Sequence, residues 1–148
     1  MESINFVVLG DQSIVNDFGK KGTSTDLTLY DRKESNIIRT WITANGFPDK
    51  IQPLLQAINI AEYVIFHVTV LDKFTGEQII ALDSLGKKEG ILSHSYDVDE
   101  SKLNTMIKGT VLENYKKTVV VGLICDSTRL LDVRRNRIHS MHEDRPSN

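Results

Sequence analysis

The sequence predicts a three-layer α/β fold with a doubly wound, mostly parallel sheet of about six strands. Apolar runs such as residues 4–9 and 63–70 are nearly uninterrupted, which is typical of strands buried on both faces of a parallel sheet. From the middle of the chain onward, such runs alternate with segments of helical periodicity. A length of 148 residues, of which 40% are hydrophobic, suits a single domain over residues 1–148.

The first strand leads into the loop where doubly wound folds hold their ligands. Residues 4–9 end at Gly10, and residues 13–18 are expected to form one or two helical turns that Gly19 closes. Two further strands, joined by polar residues into a hairpin, should add an antiparallel edge to the sheet. They cover residues 27–30 and 36–44.

The second half of the chain alternates helices with strands. Apolar residues spaced i, i+3, i+4 and i+7 predict a helix over residues 49–61, with Asp49 as its N-cap. Those apolar residues are Ile51, Leu54, Leu55 and Ile58. The later predicted elements are strands over residues 63–70, 90–94 and 117–125 and helices over residues 76–85, 99–107 and from Ser127 onward.

Composition narrows the possible functions. A net charge of −2 argues against wholesale binding of polyanions, which needs clustered positive charge. The single cysteine, Cys125, excludes an internal disulfide and a four-cysteine zinc site. No apolar run approaches the roughly 20 residues that span a bilayer, and the N-terminus lacks the pattern of a secretory signal. A cytoplasmic protein without membrane contact is therefore expected.

The loop after the first strand does not fit a phosphate cradle. Such a cradle has the pattern Gly-x-x-x-x-Gly-Lys-Ser/Thr, whose amides and lysine hold the phosphates. Gly19 follows Gly10 by nine positions instead of five, and Asp11 and Asp17 add negative charge. The sequence therefore predicts a degenerate cofactor-binding loop. It consists of Gly10, Asp11, Gln12 and Ser13.

Motifs spread over residues 4 to about 115 carry a family resemblance. The strongest are Gly-Lys-Lys-Gly-Thr-Ser-Thr-Asp-Leu-Thr-Leu-Tyr at 19–30 and Thr-Gly-Glu-Gln-Ile-Ile-Ala-Leu-Asp-Ser-Leu-Gly at 75–86. Shorter matches lie at residues 6–10, 47–48, 55–60 and 109–112. On these residues the chain resembles an archaeal elongation-factor-Tu-like family, similar to the selenocysteine-specific elongation factors. The resemblance implies a P-loop NTPase-like G domain and a role in protein biosynthesis.

Compared with the family pattern, the residues that handle GTP are lost. The resemblance implies a first loop about five residues shorter than in relatives, without the phosphate-binding lysine. Thr43 stands where the family has a magnesium-orienting aspartate, and Asn45 where it has a catalytic histidine. The guanine-reading motif becomes residues 94–97, of which only Asp97 suits a guanine contact. A remnant G domain without a working P-loop, without a cofactor and without catalysis is expected.

Two functions remain open on this basis. The first is a non-catalytic binding module whose partner is a protein, the ribosome or another part of the translation machinery. Basic residues near the C-terminus are its candidates for RNA contact. They are Arg129, Arg134, Arg135 and Arg137. The second is a weak GTPase of the elongation-factor type, with GTP and Mg²⁺ as cofactors. An unrelated receiver-type or flavodoxin-type fold is weaker, since Asn45 and Gly46 follow the third strand where a receiver needs an aspartate.

Other reactive side chains have a structural explanation beside a functional one. Asp11 and Asp97 suit either an acid/base pair or solvated loop carboxylates. Lys20 and Lys21 suit either a solvated surface or an anion contact. No metal site is expected, because a histidine pair on the last helix, His139 and His142, lacks a third ligand of matching spacing. Core packing is expected of three further side chains, namely His67, Trp41 and Cys125.

Overall fold

The computed structural model describes residues 2–120, which form a mixed sheet and three α-helices. The strands are β1 (Glu2–Gly10), β2 (Lys20–Ser24), β3 (Leu27–Glu34), β4 (Ile37–Ala44), β5 (Tyr63–Val68), β6 (Gly90–Ser95) and β7 (Lys116–Val120). The α-helices are α1 (Gln52–Ile60), α2 (Lys73–Ser84) and α3 (Glu100–Ile107), and two 3₁₀ helices cover Gln12–Asp17 and Val111–Asn114.

The sheet has seven strands in the order β2-β3-β4-β1-β5-β6-β7. β1 is parallel to both β4 and β5, and β6 and β7 continue the parallel part. β3 is antiparallel to β4 and to β2, so the expected antiparallel edge is present. The prediction that β1 and β5 lie inside a mostly parallel sheet is confirmed. The expected number of about six strands is too low, because β2 was not predicted.

Each face of the sheet carries its own apolar core, since side chains alternate along every strand. Val7 and Leu9 of β1 pack into the core formed with the three α-helices. Phe6 and Val8 face the opposite core, whose cover among the described residues includes two side chains of the first 3₁₀ helix and that of the residue after it. They are Ile14, Val15 and Phe18. Helices were expected on both faces; within residues 2–120 all three α-helices pack on one face, and the predicted last helix lies outside the described residues.

Two helix starts differ from the sequence prediction. Asp49 is not an N-cap, because α1 begins only at Gln52 and no side chain caps its first turn. α2 begins at Lys73, ahead of the predicted start at residue 76, because Asp72 and Thr75 form a reciprocal capping box. The Asp72 carboxylate accepts from the backbone N–H of Thr75 at 3.0 Å.

Two of the predicted strand ends also differ, and a third lies outside the described residues. The strand predicted over residues 27–30 extends to Glu34, because it pairs with β4 through to Ile37. The strand predicted over residues 63–70 ends at Val68. β7 is described as far as Val120, so the rest of the predicted strand over residues 117–125 lies outside the described residues. No helix within the described part of the chain is long and apolar enough to cross a membrane.

Candidate functional site

An open pocket of about 500 Å³ lies at the carboxyl ends of β1, β5 and β6, the place where doubly wound sheets bind ligands. We call it the strand-end pocket. Its lining includes Asp11, Ser13, His67, Thr69, Tyr96 and Asp97. Three of the side chains predicted from sequence, Asp11, Ser13 and Asp97, are thus brought together. A second pocket of about 320 Å³ also includes Asp11 and His67 in its lining.

The backbone that leaves β1 is held tightly against β5 and α2. Gly10 has a φ of 79°, and a Cβ at this position would collide with the carbonyl oxygen of His67. The N–H of Asp11 donates to that same oxygen at 2.8 Å. The N–H of Gly10 donates to Oε1 of Gln78 at 2.8 Å. Both amides at the end of β1 are therefore engaged within the protein.

Asp11 caps the 3₁₀ helix that follows. Its Oδ1 accepts from the backbone N–H of Ser13 at 3.0 Å and from Ser13 Oγ at 2.7 Å. This geometry satisfies a helix-terminal amide with a local carboxylate. Gln12 lies between two strand ends, with Nε2 at 3.4 Å from the carbonyl oxygens of Val8 and Ala44. The predicted helical turns after β1 are present, as a 3₁₀ helix rather than an α-helix.

An aromatic stack fixes the other end of this loop. The ring of Phe18 stacks on Trp41 with centroids 5.3 Å apart, and Trp41 stacks on Phe6 at 5.6 Å. Trp41 is completely buried, which confirms that it packs in the core. Its indole Nε1 has no hydrogen-bond partner among the described residues. The loop between β1 and β2 therefore packs against the sheet through apolar side chains.

His67 lies on β5 at the base of the strand-end pocket, with only 4% of its surface exposed. Its Nδ1 is 2.9 Å from Ser93 Oγ, and Ser93 Oγ is 3.5 Å from the carbonyl oxygen of Phe66. Burial lowers the pKa of the imidazole, Asp11 opposes that shift, and His94 adds to it. His67 was predicted as a core residue. Its burial agrees with this prediction, but its position in the pocket lining was missed.

Asp97 and Tyr96 form the rim of the pocket beyond β6. Asp97 is exposed, and its Oδ1 accepts from Ser95 Oγ at 2.7 Å. Tyr96 is 79% exposed. Asp11 and Asp97 each make a local hydrogen bond, and no contact between the two carboxylates is present among the described interactions. A guanine contact at Asp97 stays a prediction.

Thr43 and Asn45 do not belong to the strand-end pocket. Thr43 is buried on β4 opposite Thr28 of β3. Asn45 follows β4, and its Nδ2 donates to the carbonyl oxygen of Thr25 at 2.7 Å and to Thr28 Oγ1 at 2.9 Å. Asn45 therefore ties the turn between β2 and β3 to the end of β4. This structural role has no clear signal in the sequence.

The remaining candidate residues lie either on the edge of the sheet or outside the described residues. Lys20 and Lys21 are exposed on the edge strand β2. Residues 2–120 contain no group of three side chains that could hold a metal ion. Several predictions fall outside the described residues. They concern Cys125, Arg129, Arg134, Arg135, Arg137, His139 and His142.

Comparison with known proteins places the chain near translation elongation factors in fold. No protein-family model matches it. An uncharacterized protein of Methanocaldococcus jannaschii is 30% identical over 117 residues, which cover 78% of this chain and 38% of that relative. The structure of translation elongation factor SelB from Methanococcus maripaludis, in complex with the GTP analogue GppNHp, has a TM-score of 0.69 at 16% identity. It matches 100% of this chain and 35% of the SelB chain.

A second solved factor gives the same result. The bacterial selenocysteine-specific elongation factor EF-Sec has a TM-score of 0.63 at 18% identity, over 99% of this chain and 30% of that chain. The chain therefore spans about a third of the length of the solved factors and 38% of the M. jannaschii relative. This likeness confirms the elongation-factor-like α/β fold that the sequence resemblance implied.

Proposed function

We propose that this chain is a translation-factor-related binding module that neither holds nor hydrolyses GTP. The observation that carries the proposal is the state of the loop after β1. The amides of Gly10, Asp11 and Ser13 all donate to oxygens of the protein itself. A phosphate loop works in the opposite way, because its amides must point at the ligand. Releasing them would cost the hydrogen bonds that shape the loop.

The charge of the strand-end pocket supports the same conclusion. Asp11 and Asp97 line it, and no lysine or arginine does so among the described residues. Phosphoryl transfer depends on lysine, arginine or a metal ion to neutralise the phosphate oxygens. A triphosphate in this pocket would instead approach two carboxylates. The pocket does not fit the nucleotide that the fold family implies.

The contacts of the β2–β3 hairpin support the proposal that the module lacks a segment switched by a nucleotide. Nucleotide switches rely on segments that are ordered by the γ-phosphate and released on hydrolysis. Here β3 pairs with β4 along its whole length, and Asn45 ties the turn of the hairpin to the sheet. Contacts within the protein therefore hold this segment against the sheet.

The partner in this proposal belongs to the translation machinery, either a protein or the ribosome, in the cytoplasm. The fold likeness to SelB and EF-Sec supports this assignment. RNA contact through Arg129, Arg134, Arg135 and Arg137 stays a prediction about residues outside the described part. Sedimentation with ribosomes at low and at high salt tests it. Binding that falls steeply with salt would support a phosphate contact, whereas no binding at low salt would leave a protein partner.

A weak GTP-binding elongation factor is the second candidate. One observation favours it, because Asp97 lines an open pocket beside the loop after β1. Calorimetric titration with GTP and GDP, with and without Mg²⁺, separates the two candidates. We expect no measurable binding up to millimolar nucleotide. Micromolar affinity that is lost in Asp97→Asn would overturn the proposal and favour the weak GTPase.

A further inference from the structure

One edge of the sheet has no partner strand within residues 2–120. β2 is the outermost strand on that side, and it pairs with β3 only. All five of its residues are exposed. We call the side of Lys20–Ser24 that points away from β3 the β2 edge. The backbone N–H and C=O groups on it have no described partner, and such an edge is a template for the addition of another strand.

β2 is held in place at both ends, although none of its own residues is buried. Before β2, the ring of Phe18 stacks on the buried ring of Trp41. After β2, the carbonyl oxygen of Thr25 accepts a hydrogen bond from Asn45 Nδ2 at 2.7 Å. The strand is therefore extended and anchored before any partner arrives. A binding edge that is ordered in advance lowers the entropy that association must overcome.

The cations near this edge have no described counter-charge. Lys20 lies opposite Asp31 and Lys21 lies opposite Tyr30, so the two lysine side chains project from opposite faces of the sheet. Lys33 follows Asp31 by two residues on β3, and it therefore shares a face with Lys20. No ion pair joins any of the three lysines to another residue of the described part.

The carboxylates of the same hairpin already have partners on β4. Asp31 Oδ1 accepts a hydrogen bond from Thr40 Oγ1 at 2.7 Å. Glu34 Oε2 accepts from Arg39 Nη1 at 3.0 Å, and the Arg39 side chain is nearly buried. Both bonds lie between β3 and β4, on the inner side of the hairpin. An acidic partner at the β2 edge would thus meet ammonium groups on both faces of the sheet.

We propose that the β2 edge binds an extended acidic segment of a protein partner. The segment adds to the sheet as an outer strand, with one carboxylate beside Lys20 and the next beside Lys21. Successive side chains of a strand point to opposite faces, so two adjacent acidic residues match the two lysines. The inference rests on the proposed function, because it names the chemistry of the partner that a binding module requires.

Two other occupants fit this edge less well. RNA would satisfy the lysines, but its backbone has no regular row of N–H and C=O groups to pair with those of β2, as a polypeptide has. A second copy of this chain would bring a second pair of lysines to the contact. Lysines on an edge strand oppose pairing of that edge with itself. An acidic polypeptide is the occupant that uses both the backbone and the charge.

NMR titration of the full chain at low ionic strength tests the proposal with three peptides. The first is Ac-Thr-Val-Glu-Glu-Val-Thr-NH₂, whose adjacent carboxylates can reach both faces. The second has glutamine in place of both glutamates. The third keeps the glutamates but has N-methylated backbone amides, so it cannot donate to β2. We expect the first peptide to bind with a dissociation constant below about 1 mM and each control to bind about fivefold more weakly or worse.

The position of the peptide is read from the same spectra. The amide signals of Lys20–Ser24 should shift most, and amides of the β2 edge should exchange with solvent more slowly when they donate to the peptide. The signals of α2, which lies on β1 and not on the hairpin, should stay unchanged.

Charge reversal connects binding to the two lysines. Lys20→Glu combined with Lys21→Glu should weaken binding of the glutamate peptide about fivefold or more, and should favour the same peptide with lysine at both glutamate positions. Lys116→Glu combined with Lys117→Glu is the matched control, because these lysines are also exposed and begin another strand. It should leave the shifts at β2 unchanged. All four lysines are exposed, so both variants should keep the fold.

Several results would overturn the inference. They are no binding of the glutamate peptide, equal binding of the N-methylated peptide, or an equal effect of both charge reversals. Dimerisation of the free chain through β2 in sedimentation would favour a second copy instead. Tighter binding of oligouridylate than of the peptide at the same lysines would favour RNA. Each of these results leaves open whether GTP binds, whereas GTP binding in calorimetry would contradict the proposed function and not the peptide contact.

Discussion

Oε1 of Gln78 accepts a hydrogen bond from the backbone N–H of Gly10 at 2.8 Å, which joins α2 to the end of β1. The amide group of the same side chain donates through Nε2 to the carbonyl oxygen of Phe74 at 3.2 Å. Gln78 is buried, and both of its bonds are partly buried. The loop after β1 is therefore held by a side chain from a helix, at the position where a phosphate loop would need free amides.

Replacing Gln78 by leucine should destabilise the fold. Gln78→Leu keeps the bulk of the side chain but leaves the N–H of Gly10 without an acceptor. A partly buried hydrogen bond contributes about 0.5–1.5 kcal/mol, and we expect a loss of about 1 kcal/mol in the free energy of unfolding. Urea titration followed by circular dichroism measures it.

The matched control for this variant is Gln56→Leu. Gln56 is exposed on α1, so the same chemical change there should alter the free energy of unfolding by less than about 0.5 kcal/mol. Equal stability of Gln78→Leu and the wild type would show that the N–H of Gly10 does not need this acceptor.

Asn45 should control the order of the β2–β3 hairpin. In Asn45→Asp the donor Nδ2 becomes an acceptor, which then faces the carbonyl oxygen of Thr25 at the position of a 2.7 Å hydrogen bond. We expect a loss of about 2 kcal/mol and faster amide exchange in β2 and β3 than in β1. Hydrogen exchange measured by NMR reports this. Asn104→Asp, an exposed change on α3, should leave the hairpin protected; uniform exchange across the sheet would contradict the local role of Asn45.

The sequence predicts the parallel part of the fold because burial leaves a strong pattern. β1 and β5 are apolar on both faces, and the structure places both inside the sheet. β2 has no such pattern, because all five of its residues are exposed and its pairing with β3 comes from the backbone. The cap of α2 does leave a pattern in the sequence, because Asp72 precedes Thr75 by three residues, although the apolar periodicity begins only after it.

The sequence predicts only part of the candidate site, because polar residues after a strand are conspicuous and buried polar residues are not. Asp11 and Asp97 follow the strands β1 and β6, and their polarity against apolar runs marks them in the sequence. His67 lies inside an apolar strand, so the sequence predicts core packing for it, whereas nothing in the sequence marks Gln78 on its helix. Only the three-dimensional contact of β1 with β5 and α2 shows that one lines the pocket and the other holds the loop.

Stability should fall as the pH is lowered from about 7.5 to 5.5, and His67 should account for part of the fall. Burial holds the pKa of His67 below its ordinary value of 6.5 in the folded protein. The unfolded state therefore takes up a proton at higher pH than the folded state, so the contribution is complete above about pH 6.5 and is lost as the pH falls through the folded pKa. Free energies of unfolding at three pH values in this window measure it.

His67→Gln is the comparison for this pH dependence. Glutamine keeps a polar group near Ser93 but does not titrate, and all other ionisable groups are the same in both proteins. We expect a smaller loss of stability between pH 7.5 and 5.5 in the variant than in the wild type. An identical pH dependence of the two proteins would show that His67 titrates alike in the folded and unfolded states.

Restoring one carboxylate at the end of β4 should not restore nucleotide binding. Thr43 occupies the position that the family resemblance assigns to a magnesium-orienting aspartate, but it is 4% exposed and lies opposite Thr28. Thr43→Asp would bury a charge without a cationic partner among the described neighbours, and we expect it to cost about 3 kcal/mol or more. Mg²⁺ is usually held in part by substrate phosphates, and the amides of Gly10, Asp11 and Ser13 remain engaged in this variant. Calorimetry with GTP and Mg²⁺ should therefore show no binding.

Thr43→Asn is the matched control, because it has nearly the size of aspartate without its charge. The difference in unfolding free energy between the two variants then reports the cost of burying the carboxylate.

A Gly-x-x-x-x-Gly-Lys-Ser loop between Gly10 and Val15, combined with Thr43→Asp, is the smallest change that we expect to recover nucleotide affinity, since it supplies free amides and a lysine together. Tight GTP binding by Thr43→Asp alone would mean that the native loop can release its amides to a phosphate. In that case the hydrogen bonds made by Gln78 and Asp11 would belong to the ligand-free state of a functional phosphate site. They would not show that the phosphate site has been lost.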